Sequence, residues 1–472
     1  MAREVEYGVS KRGRRTVIYR NFEYWQHKVY DSGKVLWKCS KYQTFKCRAL
    51  LHTDGEAVVG NDEPEHTHSG NVSTSRARQA VGKMKRIMED VIATPSAAQG
   101  SIISEVPGHI QIALPKRASL SRVLRRHRQI KSMVGQGTPA LPAIPDDVNF
   151  AIPPRFQDFV LHDSGPGNDR MLLLGDREVL EGLGRAQTWL ADGTFKVVPS
   201  LFYQLYSVHY EAPDGSNPSA IYCLLVNKTR ATYDNMLAAI KAMVPNATPR
   251  RILLDFESAA MNAFQAAYPD AQIKGCYFHL CQSVTRKVGD VGLKGDYETD
   301  DGIRGFVRCL CALSHVPEDD VVNSFEALCE DMPMNEKLNE LVSYFEHTYI
   351  RGRRRPGRGD NYGTAIFPIP LWNQYESAGD GIARTTNSVE GWHFSLQCLF
   401  MCQHPTMWTF LTGLQRDCQV AKAGLLQAAS GSQNIGKKKF RDLKDRVARA
   451  VAGYGHVDRI TYLRAIAYLS HA

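Results

Sequence analysis

Three carboxylates in this chain occupy positions where a charge is hard to keep. The run Trp189-Leu190-Ala191-Asp192-Gly193-Thr194-Phe195 is apolar until it ends on Asp192 and a glycine. Arg251-Ile252-Leu253-Leu254-Asp255-Phe256-Glu257 repeats the pattern around Asp255. The third acid, Glu390, comes far downstream, in Thr386-Asn387-Ser388-Val389-Glu390-Gly391-Trp392-His393. An acid at the end of a buried strand needs a partner, because burying an unpaired charge is costly. Two strand-end acids and one helix acid can converge on a pair of divalent metals. Such metals sit roughly 3.5–4 Å apart and clamp the attacking and leaving oxygens of a phosphoryl transfer. Mg²⁺ (or Mn²⁺) suits these oxygen ligands. Glu257, two residues past Asp255, is a reserve ligand. Near the N-terminus, Cys39, Cys47, His66 and His68 are spaced C-x7-C-x18-H-x-H, and thiolate plus imidazole make a closed tetrahedral Zn²⁺ site. Two core cysteines and two surface histidines are the plainer reading.

These residues must be held by recognisable elements. Residues from about 5 to 68 read as short strands, with Asp31-Ser32-Gly33 as the turn between Phe22–Tyr30 and Lys34–Cys39. So short a β segment buries little apolar surface, so a metal would supply its folding energy. Asn71 to Arg78 is small and polar, which predicts a linker. Short helices are expected over 79–93 and 97–105. In Ser119–Lys131, Leu120, Val123, Leu124 and Ile130 fall at helical spacing, while Arg122, Arg125, Arg126 and Arg128 crowd the remaining positions. This pattern suits a small helix-turn-helix-like unit entering a DNA groove, or an ordinary solvated face. Gly135–Pro145 is expected to be a linker.

From about residue 150 the composition becomes globular. Strands are predicted over Thr188–Asp192, Tyr203–Tyr210, Ala220–Val226, Arg251–Asp255 and Gln272–Tyr277. Helices are predicted over Thr232–Met243, over Ser258–Tyr268 and from Phe278 onward. Three consecutive strands followed by alternating helices and strands is the order of a ribonuclease-H-like α/β fold. There the first and fourth strands are neighbours, which would bring Asp192 beside Asp255 by fold analogy. Residues 290–350 read as a helical insertion ending in the arginine-rich run 351–358. Arg353, Arg354 and Arg355 make that run a phosphate-binding loop or a solvated one. Glu390 falls on a helix with an apolar stripe of Val389, Trp392, Leu396, Leu399 and Phe400. Its spacing from Asn387 also permits a capping box, in which Glu390 merely caps its own helix. Thr406–Ala428 and Lys437–His471 read as helical.

The 472 residues allow two to four domains, 43% of them are hydrophobic, and the formal charge of +9 favours a polyanionic partner. No apolar run of 18 or more residues is present, so no membrane span is expected. The first residues, Met-Ala-Arg-Glu-Val-Glu, contain no apolar signal core, so no export is expected. Eleven scattered cysteines fit reduced intracellular thiols. The basic cluster Lys11-Arg12-Gly13-Arg14-Arg15 reads as a phosphate contact, a nuclear-import signal or a solvated tail.

Two resemblances sharpen the picture. Tyr24, Tyr30, Trp37-Lys38-Cys39, Cys47-Arg48-Ala49 and His66-Thr67-His68 resemble a FLYWCH zinc finger, which implies a β-sheet module that binds DNA or a protein. Residues from about 185 to 425 resemble the catalytic domain of Mutator-like element (MULE) transposases. The matching pieces are Ala191-Asp192-Gly193-Thr194-Phe195, Leu254-Asp255-Phe256-Glu257, Gly275-Cys276-Tyr277-Phe278-His279 and Arg384 to His393. The resemblance implies a DDE site with Asp192, Asp255 and Glu390 as Mg²⁺ ligands. It also implies cleavage of double-stranded DNA at element terminal repeats and strand transfer into target DNA. A homodimer or higher oligomer on DNA and a nuclear location follow from it as well. Nothing after Glu390 has the spacing of the C-terminal SWIM finger found in many plant relatives. The Cys276-x2-His279 pair matches a family motif. Orienting a phosphate or water, holding the insertion, and simple helix capping all remain open for it. The implied order is a finger over 1–70, a basic helical segment over 71–150, a core over 151–290, a helical insertion over 291–380 and the third-acid helix with a helical C-terminal region over 381–472. A DNA-binding regulator that has lost catalysis is the alternative to a transposase.

Overall fold

The computed structural model describes residues 5–10, 14–60, 63–90, 93–133, 142–353, 362–379, 385–430 and 438–470. Lys11–Gly13, most of the expected linker Gly135–Pro145, Arg354, Arg355 and Lys437 therefore lie outside the described residues. The chain divides into two units, 1–143 and 144–472.

The first unit opens with a six-stranded meander. Its strands are β1 (Glu6–Val9), β2 (Arg15–Tyr19), β3 (Phe22–Val29), β4 (Val35–Cys39), β5 (Leu50–Asp54) and β6 (Ala57–Val58). They pair in chain order, each antiparallel to the next. Gly33 closes the β3–β4 turn with φ +82, a conformation that costs glycine little. The buried side of the sheet holds Val17, Tyr24, Trp37, Cys39, Cys47 and Leu51.

Three longer helices follow, Ser73–Ile87, Pro95–Ile103 and Arg117–Met133, with a one-turn helix, Gly108–Gln111, before the last. The segment expected to be a linker is therefore helical from Ser73. Its small residues Ser75 and Ala77 are buried, Gln79 donates to the Tyr7 carbonyl, and Arg76 and Arg78 pair with Glu6 and Glu23. Tertiary contacts with the sheet thus override a composition that looked like a spacer. The three helices share a small core of Ala80, Met84, Met88, Ala98, Ile102, Leu120 and Leu124. Val123, assigned to that apolar face from its spacing, is instead 41% exposed. Among the described side chains of that helix, Leu120 and Leu124 are the ones buried in the core.

The second unit is built on a seven-stranded mixed sheet. Its strands are β7 (Val160–Asp163), β8 (Leu172–Leu174), β9 (Thr188–Thr194), β10 (Gln204–Tyr210), β11 (Ser219–Leu225), β12 (Arg251–Leu254) and β13 (Gln272–Gly275). The order across the sheet is β13-β12-β9-β10-β11-β8-β7. β9 pairs with β12 in parallel and with β10 antiparallel, so it is central. β7 and β8 extend the far edge and were absent from the sequence reading. Every residue of β10 and β11 is buried, as both faces are covered. Alternation sorts β10 onto two faces. Tyr206 meets Tyr233 and Phe264 from the helices Arg230–Met243 and Ser258–Ala267. His209 meets Trp392 from the helix Asn387–Phe400 on the opposite face.

Beyond β13 the helix Tyr277–Asp290 leads into a helical body. Its helices Asp301–Ala312, Val321–Glu330 and Glu336–Phe345 share one apolar core with Lys438–Ala452 and Arg459–Ser470 from the end of the chain. Asp320 ties the two parts, accepting from Tyr454 and Arg459.

Candidate metal centres

In the first unit, Cys39 ends β4, Cys47 follows a one-turn helix, and His66 and His68 sit in the stretch after β6. The four ligand atoms lie within 4.8 Å of one another. Cys39 Sγ is 3.2 Å from His68 Nε2, and Cys47 Sγ is 3.3 Å from His66 Nδ1. These separations are close to the edges of a tetrahedron with Zn–S near 2.3 Å and Zn–N near 2.0 Å.

The outer partners fix the ring orientation. His66 Nε2 is 2.7 Å from the Tyr24 hydroxyl, and His68 Nδ1 is 3.0 Å from the Ser69 carbonyl. A ring nitrogen bound to a carbonyl carries the proton, which leaves Nε2 of His68 its lone pair for a metal. Burial pushes His66 down to about 4, so its ring is neutral. Burial pushes the Cys39 thiol up to about 11, with Cys47 adding to the rise, and a cation would reverse this. The donor set and spacing fit Zn²⁺.

In the second unit, Asp192 lies inside β9 rather than at its end, since the strand runs on to Thr194. The parallel register pairs Leu253 with Leu190. Two residues further along come Asp192, still within β9, and Asp255, just past the end of β12, so the register sets them beside each other. Gly193 is required beside Asp192. A Cβ there would stand 2.9 Å from Gln204 Oε1 and 3.3 Å from the Tyr206 ring.

Glu390 is delivered by the helix Asn387–Phe400, which Val389 and Trp392 seat on Leu190 of β9 and Leu253 of β12. The residue at the N-cap is Thr386, not Asn387, and no side chain caps the helix. The capping box is therefore not formed. Glu390 turns away from its helix end, with Oε1 3.0 Å from His279 Nε2. Donor atoms of Asp192, His279 and Glu390 all fall within 4.8 Å of one another.

The Cys276/His279 pair joins β13 to this helix. Cys276 is fully buried, and its Sγ accepts from both the backbone N–H and the hydroxyl of Thr386, each at 3.2 Å. His279, one turn later, grips Glu390. Glu257 points elsewhere, accepting from the Tyr233 hydroxyl at 3.0 Å.

The electrostatics describe an unbalanced cluster. Asp192 is 3% exposed, and burial, the neighbouring Asp255 and Glu390 push its carboxyl up to about 8. Asp255 rises to about 6 through burial and the charge of Glu257. Oδ1 of Asp255 is buried with no hydrogen-bond partner among the described residues. Burial alone would lower His279, but Cys276, Glu390 and Asp192 outweigh it and hold the ring protonated up to about 11. Its hydrogen bond in turn lowers Glu390. Three carboxylates around one imidazolium, with an orphaned acceptor, are short of positive charge. A divalent cation fits that deficit.

Two further residues were weighted too lightly in the sequence. His393, three residues after Glu390 and so on the same side of the helix, brings Nδ1 to 3.5 Å from Asp192 Oδ2, and burial lowers it to about 4. Asp417, on the helix Met407–Ala429, accepts from Tyr222 Oη and Trp392 Nε1 at 2.8 Å each. It fixes the rotation of the third-acid helix, and no sequence signal singles it out. Among the arginines, Arg122, Arg125 and Arg126 are exposed on the Arg117–Met133 helix, whereas Arg128 folds back to the carbonyls of Met88, Asp90 and Ala93. Arg353 is exposed. No described helix is long and apolar enough to cross a membrane.

No curated protein matches the chain. Residues 188–283 match the family model of the MULE transposase domain, a span that takes in Asp192, Asp255, Cys276 and His279 and stops short of Glu390. Residues 7–68 match the FLYWCH zinc finger domain, a span that contains all four candidate zinc ligands. The chain thus carries a FLYWCH zinc finger domain followed by a MULE transposase domain.

Proposed function

We propose that the protein is a DNA transposase of the Mutator-like class, which cleaves element ends and transfers the freed strand to target DNA. One observation carries this reading: donor atoms of Asp192, Glu390 and His279 converge within 4.8 Å, and Asp255, outside that group, follows the strand paired in parallel with that of Asp192, in a chain that matches the MULE domain. The order β13-β12-β9-β10-β11, with the β13–β12 and β12–β9 steps parallel and the β9–β10 and β10–β11 steps antiparallel, supports a ribonuclease-H-like core.

Asp192, Asp255 and Glu390 would hold Mg²⁺. When bound, the metal supplies Lewis-acid stabilisation of phosphoryl charge and a nucleophile at neutral pH. The protein's own groups prepare the site. His279 occupies one oxygen of Glu390 and leaves the other directed to the cluster. Cys276 and Thr386 fix the start of the third-acid helix, and Asp417 fixes its rotation through Trp392. Neutral His393 packs against Asp192 and keeps that side dry. No side-chain nucleophile is needed. The zinc finger and the exposed arginines of the Arg117–Met133 helix would hold DNA, with phosphate contacts giving register.

The test is a cleavage and strand-transfer assay on DNA bearing the element's own ends. Asp192→Asn, Asp255→Asn and Glu390→Gln each lose activity by about a thousandfold or more, as groups acting as a unit do. Glu257→Gln retains it. Normal cleavage by Glu390→Gln with a dead Glu257→Gln transfers the third ligand to Glu257. An inactive wild type that binds DNA as well as all four variants leaves a non-catalytic regulator.

A further inference from the structure

Residues 24–52 carry six Lys or Arg and a single acid, Asp31. The strands in this stretch have two unlike faces. Tyr24, Trp37, Cys39 and Leu51 point to the buried, metal-bearing side. On the other side Trp25, Lys38 and Leu50 stand abreast across β3, β4 and β5. After a bulge, Lys28, Leu36 and His52 form the next row.

The aromatic residues of this outer face are unusually bare. Trp25 is 42% exposed and Tyr42, just past β4, is 41% exposed. Packing does not account for a tryptophan there. Two tyrosine rings here, Tyr42 and Tyr30, each have a lysine beside them. The Lys38 ammonium is 3.1 Å from the Tyr42 ring centre, and Lys28 is 5.0 Å from that of Tyr30, which stacks on His52 at 6.5 Å. Flat rings interleaved with lysines are the chemistry that grips a nucleic-acid strand: a ring stacks on a base while an ammonium neutralises the phosphate. A duplex hides its base faces, so only unpaired bases can use the rings. An acidic protein surface would answer the lysines but not the flat, bare rings set between them.

We propose that this outer face binds single-stranded nucleic acid, stacking unpaired bases on Trp25 and Tyr42 with Lys28 and Lys38 on the backbone. The assignment does not rest on the carboxylate cluster and extends the proposed function by naming the form of nucleic acid that the finger takes.

The experiment uses the full chain, zinc-loaded and without added Mg²⁺. Fluorescence anisotropy measures binding to labelled oligo-dT of about 20 nucleotides, longer than one such site needs, and to a duplex of equal length. Trp25→Ala weakens oligo-dT binding about tenfold, the value of roughly one lost base stack, and changes duplex binding less than about twofold. Trp25→Phe keeps most of the single-strand affinity. Zinc content is unchanged in both variants, because Trp25 lies outside the buried core. A 2-aminopurine base in the strand is quenched by the wild type and not by Trp25→Ala. The proposal is overturned if Trp25→Ala leaves oligo-dT binding unchanged, or lowers both affinities alike. It is overturned too if the wild type binds only duplex, an outcome that leaves the transposase reading standing.

Discussion

The zinc-finger centre and the carboxylate centre gather their ligating side chains in opposite ways. The finger takes four soft ligands from one short stretch, around a core of a few residues. Its two imidazoles are neutral or paired by hydrogen bonds, so little resists closure when the metal is absent except the poverty of the core. The carboxylate centre takes like-charged acids from β9, from the end of β12 and from a distant helix. A large sheet, buried on both sides, forces them together against their repulsion. In the first case the metal makes the fold. In the second the fold brings the acids together, at an electrostatic cost that a bound cation, on the function proposed here, would relieve.

The largest expected effect follows from that contrast. Stripping zinc, or Cys47→Ser, unfolds the finger, since structural zinc supplies about 10 kcal/mol or more in such small domains. Metal analysis falls to none per chain, and amide exchange across β2–β5 becomes fast. A finger still protected without zinc would erase the distinction between the two centres.

The carboxylate centre should respond with the opposite sign. The folded state holds a proton on Asp192 up to about pH 8, whereas an unfolded aspartate releases it near pH 4. Between those values the native chain binds more protons than the unfolded one, so its stability falls as pH rises through the window. Asp192→Asn removes this dependence and stabilises the Mg²⁺-free protein at pH 8 by a few kcal/mol. Denaturant melts of the second unit between pH 5 and 8 check it, and an unchanged slope in Asp192→Asn contradicts it.

Asp417→Ala is next in size. It leaves the Tyr222 hydroxyl and the Trp392 indole N–H without their acceptor, at a cost of roughly 2–4 kcal/mol. Activity falls as well, because Trp392 sets the helix that carries Glu390. Asp417→Asn, which keeps an acceptor, recovers much of both in urea melts and cleavage assays.

The smallest effects separate two arginines on one helix. Arg128→Ala costs roughly 1–3 kcal/mol through three lost carbonyl contacts. Arg122→Ala changes stability by less than about 0.5 kcal/mol. It instead lowers the salt slope of DNA binding by about one.

Sequence periodicity served best where burial is one-sided or complete. β9 to β13 and their helices were legible because runs such as Trp189–Ala191 and Ile252–Leu254 are continuously apolar and helix-period segments follow them. β7 and β8 were not, since three-residue leucine pairing at a sheet edge leaves no period to read. The helix at Ser73 was hidden for a different reason: small polar residues look like spacer until a sheet accepts them. Val123 shows the reverse failure, a residue with the right spacing and no neighbour to cover it.

What the sequence determined by itself is the chemistry available: two cysteines and two histidines at a spacing that can close on zinc, and three acids set in apolar surroundings. Ligand type and local spacing are properties of the chain. Only the tertiary structure decided that β12 lies parallel to β9 in the register that sets Asp255 beside Asp192. It alone decided that Glu390 faces His279 instead of its own helix end, and that Asp417 reaches across to Trp392. Those contacts join residues far apart in the chain, and their energy comes from packing and desolvation, which no local pattern of residues encodes.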